Sequence, residues 1–440
     1  MKHSAKINRR SAMLCLGAAA MAPMAFRKFT QAAPSETILH ASFGAGGMAR
    51  ADINSLTASK NLKLVAVADV DEGRLAELKK SFPDVKTYTD WRELLDKEKG
   101  LHSANISTPD HMHAPITMRA MQQGLHVYTQ KPLTQSIYES RQLARVAREK
   151  KIISQMGIQI HSHEVHKTVV KAIQDGVVGK IKAIHSWSGK QWGDNNPRPE
   201  KTDMVPAGLN WDGWLGVAKD RPYIQGYYHP GNWRKRLDFG TGTFGDMGCH
   251  ILDPVFGSVA LTMPTSMICT KGGTNADSWG LDNQVVYTFP GTKFTDGALT
   301  LTWYDGKLRP GTEVQALLGS TKLSDQGSLY IGTNGVLYSP YIGAPTVFKD
   351  GNKVDAKIEK VPGDNHYLQW VDACRGIGKT SAPFDYAGPM TETVLIGCLA
   401  TRFPNKKLEW DGVNMKVTNV SEANQFVRKS YRKGWEVEGL

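Results

Sequence analysis

Gly44-Ala45-Gly46-Gly47-Met48-Ala49 closes one apolar run and opens a helical pattern, and Asp69 ends the next apolar run twenty residues after Ala49. That spacing suits a dinucleotide site. Gly44 permits the tight turn, Gly46 lets backbone approach a pyrophosphate, and Ala49 allows close helix packing. At Gly47 and Met48 the helix N-terminus then presents unpaired N–H groups to phosphate oxygens. A carboxylate at Asp69 can accept from adenosine ribose hydroxyls and would repel a 2′-phosphate, so NAD is favoured over NADP. Two further segments, Thr108-Pro109-Asp110-His111-Met112-His113 and Gln130-Lys131-Pro132, each follow an apolar run. They leave the carboxyl ends of strands, where open α/β sheets bind ligands. Asp246 and His250 stand four residues apart, which puts both on one face of a helix.

The elements that must position these residues alternate. Strands are expected at 37–43, 62–69, 103–107, 126–129 and 152–157, with a weaker one at 85–87. Helical patterns lie between them at 48–57, 72–81, 90–97, 113–123 and 137–150. Such alternation argues a parallel sheet covered on both faces. His40 and Ser42 are unusually polar for its first strand.

After residue 157 the period changes to two, with strands expected at 181–187, 284–289, 298–303 and 314–318 and a hairpin turn at Asn334-Gly335. Helices return at 365–375 and 391–401, and a charged one is expected at 422–433. Trp187, Trp192, Trp211, Trp214 and Trp233 crowd one stretch with Tyr223, Tyr227, Tyr228, His229 and Arg234. Most of those rings are expected to pin an irregular loop; Trp192 and Arg234 are the candidates for a sugar pocket. Gln159, His161 and His163 alternate beyond the last strand of the first half and can share a face toward substrate. With Glu164, Asp246 and His250 they can also be arranged as a metal site, but no compact ligand motif supports one and no metal is expected.

The first 33 residues hold six basic side chains and no acid, with Arg9-Arg10 ahead of a short run of small apolar residues. This is the pattern of a twin-arginine export signal, too short to span a membrane. Its removal would lower the formal net charge from +12 to +6. The rest is scattered, so neither nucleic-acid binding nor membrane insertion is expected. Beyond Cys15 in that segment, the four remaining cysteines lie far apart and make no disulfide scaffold.

Taken together, the Gly-rich loop, the Thr-Pro-x-x-x-His element, the Lys131-Pro132 turn and the Asp246-x-x-x-His250 helix start resemble the Gfo/Idh/MocA oxidoreductases in order and spacing. The resemblance runs over residues 36–440. It implies an α/β protein: a Rossmann domain at 34–158 and, at 159–440, an α/β domain with a large open, mainly antiparallel sheet whose face favours homo-oligomers. It implies that Thr108, Pro109, His113, Gln130 and Lys131 join the glycine loop in holding cofactor. It also implies that Lys131 is the active-site lysine and His250 the acid/base, with Asp246 as its partner. Physically, oxidising a secondary hydroxyl needs a proton acceptor and a cation on the oxygen. A histidine near its ordinary pKa serves the first, and Asp246 can orient it or bind a neighbouring hydroxyl. One departure stands out. The family's Glu before the lysine is Gln130 here, which is expected to leave Lys131 without a carboxylate neighbour and to weaken its protonated form.

Outside the cytoplasm free NAD is scarce, so an exported enzyme of this kind is expected to carry its cofactor tightly bound inside the fold. The expected activity is oxidation of a sugar, glycoside or cyclic polyol hydroxyl. An alternative is a glycosidase that oxidises, eliminates, hydrates and re-reduces on the same NAD; a third is a non-catalytic glycan-binding protein.

Overall fold

The computed structural model describes residues 37–440, so the expected export signal at 1–33 lies outside the described residues. Six strands form the first sheet: β1 (Ile38–Phe43), β2 (Leu62–Ala68), β3 (Lys86–Tyr88), β4 (Ser103–Ile106), β5 (His126–Gln130) and β6 (Ser154–Gly157). Their order is β3-β2-β1-β4-β5-β6 and every pairing is parallel. The order reverses between β1 and β4, which opens a crevice at their carboxyl ends. Between these strands run α1 (Gly47–Thr57), α2 (Glu72–Lys79), α3 (Trp91–Lys97), α4 (His113–Gln122) and α5 (Ile137–Glu149). Each start has a local cause. Asp71 and Asp90 accept from first-turn N–H groups of α2 and α3, and Ser136 with Glu139 forms a capping box on α5. α1 differs: Gly46 precedes it with no side chain to cap it.

His40 is accounted for by its neighbours. Its ring nitrogens lie 2.9 Å from Ser103 Oγ and 2.9 Å from Asn105 Oδ1 on β4, so a buried polar ladder joins the two strands. Ser42 donates to the Gly44 carbonyl and braces the glycine turn.

Beyond β6 come α6 (Glu164–Gln174), β7 (Ile181–Ser188), the single turn α7 (Trp211–Leu215) and α8 (Gly242–Ser258). Next are β8 (Ser266–Lys271), β9 (Gln284–Phe289), β10 (Thr295–Asp305), α9 (Thr312–Gln315), β11 (Gln326–Gly332), β12 (Val336–Pro340), β13 (Thr346–Lys349) and β14 (Asn352–Val354). The chain ends with α10 (His366–Cys374), α11 (Phe384–Ala400), β15 (Leu408–Asp411) and β16 (Lys416–Val417). These ten strands form one sheet, ordered β14-β13-β12-β11-β7-β10-β9-β8-β15-β16, antiparallel except between β7 and β10. α8 packs on α6, α11 and β7, and α11 packs back on α5. No described helix is long and apolar enough to cross a membrane.

Three local expectations fail for physical reasons. The 314–318 segment is α9 continued by a 3-10 turn rather than a strand: Val314 and Leu318 are both buried and four apart, a helical spacing. The 422–433 segment is a short 3-10 turn, Ser421–Phe426, followed by irregular chain. Its charges leave for distant partners, Lys429 for Gln135 and Arg432 for Asp212, instead of pairing along a helix. Finally, α11 starts at Phe384, well before 391, and carries Pro389 inside it, a residue that reads in sequence as a helix boundary.

Candidate active site

A cavity of about 610 Å³ opens at the carboxyl ends of β1, β2, β4 and β5 and runs to the start of α8. It is lined by every site residue expected from the sequence except His161 and His163.

At one end the glycine loop fits a dinucleotide. Gly44 has φ +104°, and a Cβ there would stand 2.8 Å from the Ser107 carbonyl oxygen and from Ala49 Cβ. Gly47 has φ +53° and a Cβ there would meet no other atom, so the loop backbone is bare where Gly46, Gly47 and Met48 line the cavity at the first turn of α1, whose N–H groups have no partner within the helix. The Thr108 hydroxyl is buried without a partner beside it, a donor that a ligand hydroxyl or phosphate would satisfy. Asp69 does more than expected: its two oxygens accept from the backbone N–H of Ala45, at 2.7 Å, and of Asp71, at 3.0 Å. It therefore fixes the loop to the end of β2 and keeps lone pairs for ribose hydroxyls. Arg74, which the sequence did not single out, lines the cavity across from Gly46.

His113 braces the two catalytic-end loops. Its ring nitrogens lie 2.7 Å from the Pro132 carbonyl and 2.8 Å from that of Thr108. Burial lowers its pKa to about 4, so the ring is neutral and only one of the two contacts is an N–H donor.

Gln130 proves to be a requirement of the packing. Its amide nitrogen donates to both oxygens of Asp52, at 3.0 and 2.9 Å, while its oxygen accepts from the Lys131 N–H at 3.3 Å. Asp52 is fully buried on α1 and also receives the hydroxyls of Ser107 and Tyr367, at 2.7 and 2.8 Å. Burial raises the Asp52 pKa to about 6 against the pull of those bonds. Nor does Lys131 lack a carboxylate. Its Nζ donates to Asp246 Oδ1 at 2.7 Å and to the Asp246 carbonyl at 2.8 Å, which corrects the expectation drawn from Gln130. The Lys131–Pro132 bond is cis.

Arg234 completes the charged group. Its Nε lies 3.4 Å from Asp246 Oδ1, and its guanidinium sits over the rings of Trp233 and Trp192 at 4.3 and 5.4 Å. Burial alone would raise the Asp246 pKa; the charges of Lys131 and Arg234 outweigh it and hold it at about 2. Asp246 is thus engaged with two cations and does not orient His250, whose Nδ1 is buried without a partner. Burial and the charge of Lys131 push His250 down to about 3, far from the ordinary value expected for it. It faces the cavity as a neutral ring.

The other tryptophans behave as loop anchors. Trp214 and Trp233 are buried with Tyr227, Tyr228 and Phe239, and Trp211 stacks on Trp214 at 4.8 Å. Gln159 reaches the cavity, donating to Tyr367 at 2.9 Å.

His161 and His163 do not reach it. His163 caps α6 by accepting from the Val165 N–H. His161 turns into a second cavity of about 310 Å³, where Nδ1 lies 2.9 Å from both oxygens of Asp253, one turn beyond His250 on α8. Burial opposes charge on His161, but Asp253 outweighs it and raises the pKa. Asp253 in turn is held well below the carboxylate range, His161 and His166, the latter 3.7 Å away, overcoming its burial. His161→Ala should leave the KM for a cavity-bound substrate within ~2-fold, yet cost ~3 kcal/mol by leaving that carboxylate under-compensated. A urea melt beside steady-state kinetics checks this; a large KM change with unchanged stability would return His161 to the substrate site. The pair's contribution is lost above the raised histidine pKa, so the cost shrinks in alkaline buffer.

Sequence reasoning missed Asp52 and Asp110. The first had a signal: with Ala49, Ile53 and Leu56 it sits on the apolar stripe of α1, where an unpaired acid does not belong. Asp110 lay unremarked inside the Thr108–His113 element.

Comparison with known proteins agrees with the fold. Residues 39–158 match the model of the oxidoreductase family with NAD-binding Rossmann fold, and residues 162–298 match that family's C-terminal α/β domain model. Together they cover more than half of the chain. Among curated relatives, levoglucosan dehydrogenase of Pseudarthrobacter phenanthrenivorans is 22% identical over 187 residues, 42% of this chain and 40% of that protein. An NAD(+)-dependent scyllo-inositol 2-dehydrogenase of Bacillus subtilis is 28% identical over 127 residues, 29% of this chain and 37% of that protein. The matched segments thus span about two fifths of these relatives. The fold is shared with an NAD-binding protein from Listeria innocua, TM-score 0.60 at 16% identity, over 85% of this chain and 99% of that one.

Proposed function

The chain belongs to the Gfo/Idh/MocA oxidoreductase family, and on that footing we propose that it oxidises a secondary hydroxyl of a sugar, glycoside or cyclic polyol with a tightly held NAD. We further propose that it is exported folded with that cofactor and pairs with a second copy through the open sheet. The observation that carries the reading is the single cavity joining the bare glycine loop to Lys131, Asp246 and His250. Bound there, the dinucleotide supplies a two-electron hydride acceptor.

The chain's own groups do the rest. Asp246 and its carbonyl take two of the three donors on the Lys131 ammonium, which leaves a third for a substrate oxygen. That cation stabilises the negative charge an alkoxide develops as its proton leaves. Neutral His250 accepts a hydrogen bond from the same hydroxyl, orients it and is the group that takes its proton as the carbonyl forms. Trp192 and Arg234 border the remaining space, offering an aromatic face and guanidinium N–H groups to neighbouring hydroxyls.

The test begins with protein purified without added nucleotide. Acid release should yield about one NAD per chain, and a panel of sugars and polyols should reduce it stoichiometrically. Nucleotide-free protein that exchanges NAD rapidly would sink the carried-cofactor reading. Aglycone release from chromogenic glycosides without accumulated reduced cofactor would replace the oxidoreductase by a glycosidase.

A further inference from the structure

The substrate end of the cavity carries more positive charge than its acids balance. Lys131, Lys190 and Arg234 line it as cations, against Asp246 and Asp110. The cations stay in excess even with both acids ionised, and a cleft biased to one sign of charge draws in a ligand of the other. Two segments bring these groups together at the start of α8. The loop after β7 is tied there through Thr243, whose hydroxyl oxygen accepts from the Trp192 N–H at 2.7 Å and donates to the Lys190 carbonyl at 3.3 Å. The 3-10 turn Asn232–Lys235, which carries Arg234, lies against the approach to α8, where a Cβ on Gly240 would stand 2.5 Å from Arg234 Cα. Arg234 commits only its Nε to Asp246, at 3.4 Å; among the described residues neither terminal nitrogen forms a hydrogen bond. The rings of Trp233 and Trp192, at 4.3 and 5.4 Å, hold the plane of that fork. Lys190 is exposed, and among the described residues its ammonium forms no ion pair. A planar fork beside a point charge suits a carboxylate, which takes two parallel N–H bonds from the first and a third from the second.

We infer that the substrate is a sugar acid: a hexuronate whose ring hydroxyl is held by Lys131 and whose carboxylate is taken by the Arg234 fork and Lys190. The inference rests on the oxidoreductase reading above and narrows it. The geometry puts the carboxylate on the reacting ring itself. Lys131 Nζ and Arg234 Nε reach the same Asp246 oxygen, at 2.7 and 3.4 Å, so the two cations stand within the span of one sugar ring. A hydroxyl on one side of the ring and a carboxylate on the other can engage both at once. Asp246 is already paired with the two cations, so the incoming carboxylate meets donors rather than a bare like charge. Lys190, two residues before Trp192, adds the further charge from the Trp192 side.

Methyl glycosides of hexuronic acids, their methyl esters and the parent hexosides, in the gluco, galacto and manno configurations, test this on the purified holoprotein. At least one uronate should be oxidised with a kcat/KM ~10²-fold above its own ester and its hexoside, because a ligand without the carboxylate leaves the charged donors unpaired. The preference should shrink as salt is added, since exposed charge is screened. Arg234→Gln should cut the uronate-to-ester ratio ~10-fold or more, and Arg234→Lys should not restore it, because a point charge lacks the fork. Lys190→Gln alters an exposed side chain, should cut the ratio ~3-fold, and serves if Arg234→Gln does not fold. An ester or hexoside oxidised as well as the uronate, or a preference unmoved by either substitution, overturns the inference and leaves the oxidoreductase reading standing. Sugar phosphates oxidised in preference to uronates also overturn it. A holoprotein that oxidises no sugar, sugar acid or polyol overturns the oxidoreductase reading and takes the inference with it.

Discussion

Lys131→Met lowers kcat for hydroxyl oxidation by ~10²–10³-fold, the usual cost of removing one preorganised charge from a developing oxyanion. Methionine keeps the length and apolar stem of the side chain and deletes only the ammonium. The loss falls on kcat more than on KM, because the cation matters most when the oxygen carries charge. The nucleotide should stay bound, since the groups that cradle it on the glycine loop and Asp69 lie at the other end of the cavity. Lys131→Arg should not restore activity: a planar fork cannot bond Asp246 Oδ1 and the Asp246 carbonyl and still aim a donor where the lysine does. A second consequence follows from the ion pair. Asp246 would keep only Arg234, so its carboxyl should titrate higher than about 2. Steady-state kinetics with retained cofactor measured in parallel decides the matter; a kcat within ten-fold of wild type would remove Lys131 from the chemistry.

What was legible in the sequence follows from what local pattern can encode. β1 to β6 and their helices sit close to where alternation placed them because a parallel sheet buried on both faces writes near-continuous apolar runs between capped helices. The cavity lining was legible for the same reason, since strand ends and helix starts are local features. Partnerships were not. Asp246 and His250 share a helix face, as their spacing requires, but the carboxylate turns to Lys131 from another part of the chain and leaves the ring without it. Likewise His161 alternates with Gln159, yet the 3-10 turn Gln159–Ser162 replaces the strand that alternation assumed and sends them to different cavities. Gln130 looked like a lost charge because Asp52, the charge it serves, lies 78 residues away.

That last pair makes a sharp expectation. Gln130→Glu, a change toward the family pattern, should destabilise the protein by about 2–4 kcal/mol at neutral pH, the scale on which an uncompensated buried charge is felt. The amide nitrogen that now donates to both Asp52 oxygens would become an oxygen facing them. Two buried carboxyls in contact cannot both ionise, so one must keep a proton. The sign with pH follows. In the folded mutant the pair's pKa values lie above their unfolded values, so the folded state binds protons that the unfolded state has released. Its penalty is therefore absent in acid, below the unfolded carboxyl range near 4, and grows as pH rises through the pair's raised values. Wild-type Asp52, at about 6, already leans the same way. Urea unfolding from acid to mildly alkaline buffer should show the mutant and wild-type curves diverging upward in pH. Asp52→Asn in the Gln130→Glu background should restore much of the loss, because a carboxamide nitrogen can again face a carboxylate oxygen. A penalty independent of pH, or none, would mean the contact is not a charge clamp. Since Gln130 also accepts from the Lys131 N–H, the same substitution should disturb the lysine's backbone and lower kcat even where the fold survives.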